Sequence, residues 1–257
     1  MFIDSHCHID CIDLNGYQNN INELMKEVSA NNVEHMLCVC IDLYGFDKMY
    51  DAVKDYAQIS VSAGMHPTHA VGDALSVETI LQYASKEEVV AVGETGLDYF
   101  YQKDKPEWQK LRFRHHISAA KTVSKPVIVH TREAQADTLK ILKEESVQDC
   151  GGVIHCFTED WAFAKAALDQ NLYISFSGIA TFKTAEQIRE VIRKVPENRF
   201  LIETDSPYLA PVPMRGKQNQ PGYVKYVAEC VANERNLSVE EVAAISKQNF
   251  YNFLKNK

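Results

Sequence analysis

The residues in this chain best able to do chemistry are four histidines and two acids with a shared placement. His6 and His8 lie in Asp4-Ser5-His6-Cys7-His8, Glu94 in Gly93-Glu94-Thr95-Gly96-Leu97-Asp98, and His130 in Val129-His130-Thr131-Arg132. His155 lies in Ile154-His155-Cys156-Phe157 and Asp205 in Glu203-Thr204-Asp205-Ser206-Pro207. Imidazoles and carboxylates together form a nitrogen and oxygen donor set, which suits Zn, Mn, Co or Ni and suits Mg less naturally. Two imidazoles two apart on one strand share a face, so His6 and His8 can chelate one cation with little entropic loss. Glu94 can bridge two cations through its two oxygens, and the glycines at 93 and 96 would let a ligand or metal approach the backbone. The expectation is a dinuclear divalent-metal site, with Asp205 both a ligand and the general base for an attacking water. Glu203 shares the face of Asp205, two residues deeper. It either orients a ligand or the water, or is a buried acid bonded to a neighbouring strand.

Something must bring these residues together. Each closes a short apolar run: Phe2-Ile3, Val89-Val90-Ala91-Val92, Val127-Ile128-Val129, Gly152-Val153-Ile154 and Phe200-Leu201-Ile202. Continuous apolar runs of this kind are buried parallel strands. Counting all of them, His8, Cys40, His66, Glu94, His130, His155, Phe176 and Asp205 end eight strands. Stretches of helical spacing separate them, among them Leu111, His115, Ala119 and Val123, then Leu139, Leu142 and Lys143. Strand then helix, eight times, predicts an α/β chain folded as one (β/α)₈ barrel over 1–257, with its chemistry at the carboxyl ends of the strands. Helices are expected over 222–233 and 238–254. The second opens on a capping box at Ser238-Val239-Glu240-Glu241 and is one helix more than the barrel needs.

Composition narrows the function classes. Of 257 residues 46% are hydrophobic, enough for a full core, and the net charge of −8 argues against global steering to nucleic acid. Seven cysteines is an odd number, and most sit in apolar runs. That usage implies reduced, buried thiols and a cytoplasmic protein, not a disulfide framework. Neither a signal peptide nor a membrane span is expected, and no obligate protein partner can be inferred.

In these motifs the chain resembles the TatD-type metal-dependent hydrolases of the amidohydrolase superfamily. The matching stretches are Ile3-Asp4-Ser5-His6-Cys7-His8, Gly64-Met65-His66-Pro67, Gly93 to Tyr99, Pro126 to Arg132, His155-Cys156-Phe157-Thr158, Ile202 to Leu209 and the segment from Pro211 to Pro221. The resemblance spans essentially the whole chain and implies a distorted (β/α)₈ barrel. It implies that His6, His8, Glu94 and Asp205 hold one cation and that Glu94, His130 and His155 hold the second, with Mg, Mn or Zn as the metals. It implies a deoxyribonuclease, exonucleolytic on single-stranded DNA, and makes His66 a contact to substrate phosphate. Hydrolysis of a small amide or ester by the same site, and a non-catalytic metal-binding barrel, are the competing readings.

Further candidates lie around the mouth. Arg132 either salt-bridges within the barrel or touches substrate, and Arg215, in the loop after strand eight, either grips phosphate or is a solvated loop charge. Tyr99, Phe157 and Tyr208 are expected at the mouth, to stack a base or pack as a lid. His115 and His116 are expected on a helix surface and His35 in a loop.

Overall fold

The computed structural model describes residues 1–69, 75–101, 103 and 106–255. Eight strands run β1 Phe2–Cys7, β2 Val33–Cys38, β3 Ile59–Ala63, β4 Val89–Asp98, β5 Val127–Arg132, β6 Gly152–Ile154, β7 Leu172–Phe176 and β8 Phe200–Ile202. They pair in parallel in chain order. Each is followed by a helix: α1 Ile21–Ala30, α2 Phe46–Val53, α3 Val77–Ala84, α4 Pro106–Val123, α5 Gln135–Glu144, α6 Trp161–Leu168, α7 Glu186–Lys194 and α8 Val224–Arg235. The expected barrel is therefore present. The extra helix is α9 Val239–Leu254, and its capping box forms as read, with Ser238 and Glu241 capping each other.

Strand β1 meets β8 through few bonds. A bridge links Cys7 to Ser206, and the Asp205 amide donates to His6 O at 2.9 Å. Side chains add to the seam: Asp4 accepts from the Thr204 amide and hydroxyl, and the Ser5 hydroxyl donates to Ile202 O. Inside the barrel Ile3, Leu37, Ala91, Ile128, Val153, Tyr173 and Leu201 pack together, and Phe250 and Phe253 of α9 plug the amino-terminal end. The larger core lies between the strands and the surrounding helices.

Two irregularities aim the chemistry. Ile3 and Ala91 face the interior, so strict alternation would turn His6 and Glu94 outward, three residues on. The pairing shifts between Asp4 and Cys7 in β1 and between Val92 and Thr95 in β4, which returns both side chains to the interior. The glycines beside Glu94 have a different use from the one expected. A Cβ on Gly93 (φ +145°) would meet Ile128 O at 2.7 Å, and one on Gly96 (φ +135°) would meet His130 O at 2.0 Å. They let β5 approach β4, not a metal approach the backbone.

Helix α4 corrects the sequence reading most. Leu111, expected on its buried stripe, is exposed, whereas Arg112, Phe113, His116 and Ile117 are buried. His116 is therefore no surface residue. Its Nδ1 donates to Arg112 O at 2.8 Å, and its Nε2 accepts the Met65 amide at 3.1 Å. Burial pushes its pKa down to about 4. Arg112 Nη1 donates to His66 O and His69 O, and Gln109 Nε2 donates to Pro67 O. A polar row on one face of α4 thus holds the turn that carries His66, and an apolar-periodicity reading passes over such a row. His35 is in β2, not in a loop, and bonds Ser60 at 2.9 Å. Lys143 is exposed; Thr138 and Ile141 fill the buried face of α5 instead.

Candidate metal centre

The six residues read as ligands converge at the carboxyl end of the barrel, and Glu94 stands between two groups of them. Its Oε1 lies 2.8 Å from His155 Nε2 and 3.0 Å from His130 Nδ1. Its Oε2 faces His6 Nε2 at 3.4 Å and His8 Nε2 at 3.8 Å. On that second side Asp205 Oδ1 lies 3.3 Å from His8 Nε2 and 3.7 Å from His6 Nε2. Asp205 takes a left-handed backbone, φ 56°, just past the end of β8, a conformation Asp tolerates better than most residues.

The hydrogen bonds behind the rings decide what the rings offer. His8 Nδ1 donates to Val39 O at 2.9 Å, His155 Nδ1 to Glu203 Oε1 at 3.3 Å and His130 Nε2 to Asp98 Oδ2 at 3.2 Å. Each bond fixes the proton on the remote nitrogen and leaves the other nitrogen's lone pair aimed at the centre, as metal-ligating histidines require. His66 is the opposite case. Its Nδ1 accepts the Thr68 amide at 3.2 Å, so the proton lies on Nε2, which donates to Glu94 Oε1 at 3.3 Å. Toward the centre His66 is a donor, suited to an anionic oxygen and not to a cation.

The charges lead to the same conclusion. Glu94, Asp98, Asp205 and Glu203 pair only with histidines; among the described residues no lysine or arginine lies within 4.0 Å of them. Burial would raise the Glu94 pKa, but the rings of His155 and His66 and hydrogen bonds from His130 and His155 hold it well below the carboxylate range. Burial lowers the His8 pKa, but its bond to Asp205, the charges of Asp205 and Glu94 and the Val39 carbonyl together outweigh this and take it up to about 9. His155 is likewise driven well up against its own burial, chiefly by Glu94 and Glu203. The buried carboxylates favour protons on His8, His130 and His155, whereas burial pushes His6 and His66 down; a divalent cation would neutralise the same carboxylates and release those protons.

These residues fit divalent cations. Ligand atoms about 2.05 Å from a tetrahedral ion lie about 3.3 Å apart, and His6 Nε2 and His8 Nε2 are 3.3 Å apart, as are His8 Nε2 and Asp205 Oδ1. His6–His8–Asp205 and His66–Glu94–His130 are among the groups close enough to share an ion. The hydrogen bonding of His66 removes it from the second group, where His155 takes its place. Cys156 supplies no thiolate: its thiol contacts the Ser177 hydroxyl at 3.2 Å, and burial drives its pKa well up.

The remaining candidates separate. Glu203 also accepts the Cys156 amide at 2.7 Å, so it is a buried acid held by the residues just past β6, two strands away, and it orients His155. Asp98, which the sequence reading did not single out, does the same for His130. It shares a strand face with Glu94 and Gly96, and that period of two was the available signal. Among the described residues Arg132 makes no salt bridge. It is exposed, lines the cavity and lies 3.9 Å over the Phe100 ring. Arg215 is not among the residues lining the cavity; its guanidinium lies 4.2 Å over Phe182 and donates to Ala210 O. Phe157 is core, packed between Phe163 and Phe176, and Tyr99 turns away to bond Asp137 at 2.6 Å. Tyr208 does stand at the mouth. The cavity over the centre, about 540 Å³, is lined by His8, His66, Glu94, His130, His155 and Asp205 with Tyr101, Arg132 and Tyr208 on its rim.

Comparison with known proteins gives the family. The family described as TatD related DNase matches residues 3–255. The chain belongs to the TatD family. A metal-dependent hydrolase of Escherichia coli K12, YcfH, is 48% identical over 248 residues, which cover 96% of this chain and 93% of YcfH. The 3'-5' ssDNA/RNA exonuclease TatD of Pantoea vagans is 34% identical over 194 residues, 73% of this chain and 75% of that one. The crystal structure of the TatD homologue YJJV of Escherichia coli superimposes with a TM-score of 0.89 at 26% identity, covering 98% and 97% of the two chains. This TatD-family chain is accordingly a metal-dependent hydrolase.

Proposed function

We propose that this TatD-family hydrolase is a nuclease that removes nucleotides from the end of single-stranded DNA, with two divalent cations held by His6, His8, Glu94 and Asp205 on one side and by Glu94, His130 and His155 on the other. The observation that carries the proposal is Glu94, whose two oxygens face two separate sets of ligand atoms. The name of the Pantoea relative supports the choice of substrate. Zn or Mn suits the nitrogen-rich donor set best, with Mg the harder alternative. Bound there, the two cations supply Lewis acidity to the phosphoryl group and acidify the attacking water.

The chain's own residues do the rest. Asp205, facing the cavity beside His8, accepts the proton of the attacking water. Asp98 and Glu203 hold the His130 and His155 rings in position, so that no rotation is needed during reaction. His66 Nε2–H points into the same cavity and donates to a non-bridging phosphate oxygen as charge develops there. Strand binding then depends on the cations, His66 and Arg132, since the net charge of −8 gives no general attraction for a polyanion.

The test is incubation of the protein, reconstituted with Mn or Zn, with end-labelled single-stranded DNA and a panel of amides and esters. Stepwise shortening of the strand with release of mononucleotides supports the proposal. Turnover of an amide or carboxylate ester with an intact strand replaces it with small-molecule hydrolysis, and turnover of nothing leaves a metal-binding barrel.

A further inference from the structure

Single apolar side chains are common on protein surfaces, but here their positions are not random. Among the described residues seven are exposed: Met1, Tyr44, Phe100, Tyr101, Leu111, Tyr208 and Val212. Five of them, all but Met1 and Leu111, lie in the loops that follow β2, β4 and β8, on the face that carries the metal centre. Contiguous exposed apolar surface around a polar cavity marks a binding surface.

Two of the five stand on opposite sides of Glu94. Tyr101 is 63% exposed and tied to the His130 side: its amide donates to Asp98 Oδ1 at 2.9 Å, and Asp98 holds His130. Tyr208 is 52% exposed and belongs to the His8 side, with ring centroids 6.1 Å apart. Its amide donates to Asp205 O, and its carbonyl accepts from Asn219 at 2.6 Å. Both backbones are anchored to residues of the centre while both rings remain open to solvent. Arg132 lies across Phe100 and Tyr101, 3.9 Å and 5.1 Å from their centroids, and the two rings meet edge to face at 4.8 Å. This packing restricts the aromatic pair before any ligand arrives.

We propose that Tyr101 and Tyr208 are stacking platforms for the two bases flanking the scissile phosphate, one on each side of the metal centre, and that Arg132 takes the neighbouring phosphate on the Tyr101 side. This rests on the reading of the centre as a nuclease site. A strand whose phosphate sits over Glu94 must send one nucleoside toward His130 and the other toward His8, which is where the two rings are. The lining of the cavity is rich in carboxylates, so the sugar-phosphate chain gains little there beyond the cations and Arg132. Base stacking, which any sequence can provide, supplies the remaining affinity. Recognition is then of unpaired bases: a duplex keeps its bases stacked on one another and offers neither ring a free face.

The experiment measures binding apart from cleavage. Mn-loaded protein carrying Asp205→Asn, the substitution that blocks turnover, is titrated by fluorescence anisotropy with labelled oligothymidylate and with an abasic oligonucleotide of equal length. Tyr101→Ala and Tyr208→Ala are then added singly to that background, with metal content and circular dichroism as controls for the fold. The expected result is tighter binding of oligothymidylate than of the abasic strand. Each tyrosine substitution weakens oligothymidylate binding by about fivefold or more and leaves abasic binding unchanged. Equal affinity for the two strands, or tyrosine variants that bind both as their parent does, overturns the platforms even where wild-type protein degrades DNA. Base-dependent binding lost in both variants upholds them even where wild-type protein cleaves no strand, and in that case it is the nuclease reading that falls.

Discussion

Acid should destabilise the wild-type protein more than a His116→Gln variant, by an amount set by one buried ring. His116 is fully buried in α4, and burial takes its pKa from 6.5 down to about 4. Above pH 6.5 the ring is neutral in both the folded and the unfolded chain, and its stabilising contribution is complete. As the pH falls from 6.5 toward 4, the unfolded chain takes up a proton that the folded chain refuses, and stability drops at up to about 1.4 kcal/mol per pH unit. The loss from this ring reaches about 2.5 kcal/mol at pH 4.5 and levels off near 3 kcal/mol once the folded ring also protonates. Gln is the right replacement because its amide oxygen can still accept the Met65 amide now bonded to His116 Nε2. Urea unfolding of both proteins at intervals from pH 7 to 4.5 gives the measurement. Both keep the same metal ligands, so proton-driven loss of metal cancels in the difference. The wild-type advantage at pH 7 should shrink by about 2.5 kcal/mol at pH 4.5. Curves that stay parallel to within about 0.5 kcal/mol, a typical surface-mutation effect, would refute the claim that His116 is held neutral.

Asp205→Asn should lower turnover at saturating metal by about a hundredfold or more without loss of fold, because Asn tolerates the left-handed backbone there; a variant retaining over about a tenth of the rate would end the general-base assignment. Glu94→Gln should reduce both metal equivalents together and His6→Ala chiefly one, read by metal counting on purified protein, and equal losses would argue against a bridge. Gly96→Ala places a Cβ 2.0 Å from His130 O at a φ of +135°, so it should cost about 1–3 kcal/mol in backbone strain alone, seen as a lower denaturation midpoint. Arg215→Ala should change KM for an oligonucleotide far less than Arg132→Ala does, since only Arg132 lines the cavity; the reverse order would restore Arg215 as the phosphate contact.

Much of this architecture can be read from the chain. The apolar runs give the eight strands, and the six that end in His or an acid mark the end of the barrel that carries the candidate ligands, because strand burial and strand-end chemistry both leave linear marks. Other features leave no such mark. The pairing irregularities that turn His6 and Glu94 inward depend on neighbouring strands, and alternation counted from Ile3 or Ala91 gives the wrong face for both. Gln109, Arg112 and His116 recur at helical spacing, yet they are polar and read as solvent-facing until the turn they hold is seen. Asp98 follows Glu94 at a period of two on the same strand face, but a carboxylate that orients an imidazole carries no mark in the sequence that separates it from one that does not. Arg215 shows that following the right strand does not bring a side chain over the right cavity.

The seam of the barrel has a consequence for how the protein comes into being. Asp4 and Thr204 are bonded across it although they are 200 residues apart in the chain, and His6 and Asp205, on its two sides, share one set of ligand positions. The histidine pair on β1 is made some 200 residues before Asp205, so a cation held by His6, His8 and Asp205, as proposed, could not be fully caged until β8 is in place. An ion bound as proposed would join chain segments about 200 residues apart and favour the closed barrel over any state in which β8 has come away, by an amount that grows with free metal concentration. Starvation for metal should therefore loosen the seam before it loosens anything else, and protease sensitivity near β8 would be its earliest sign.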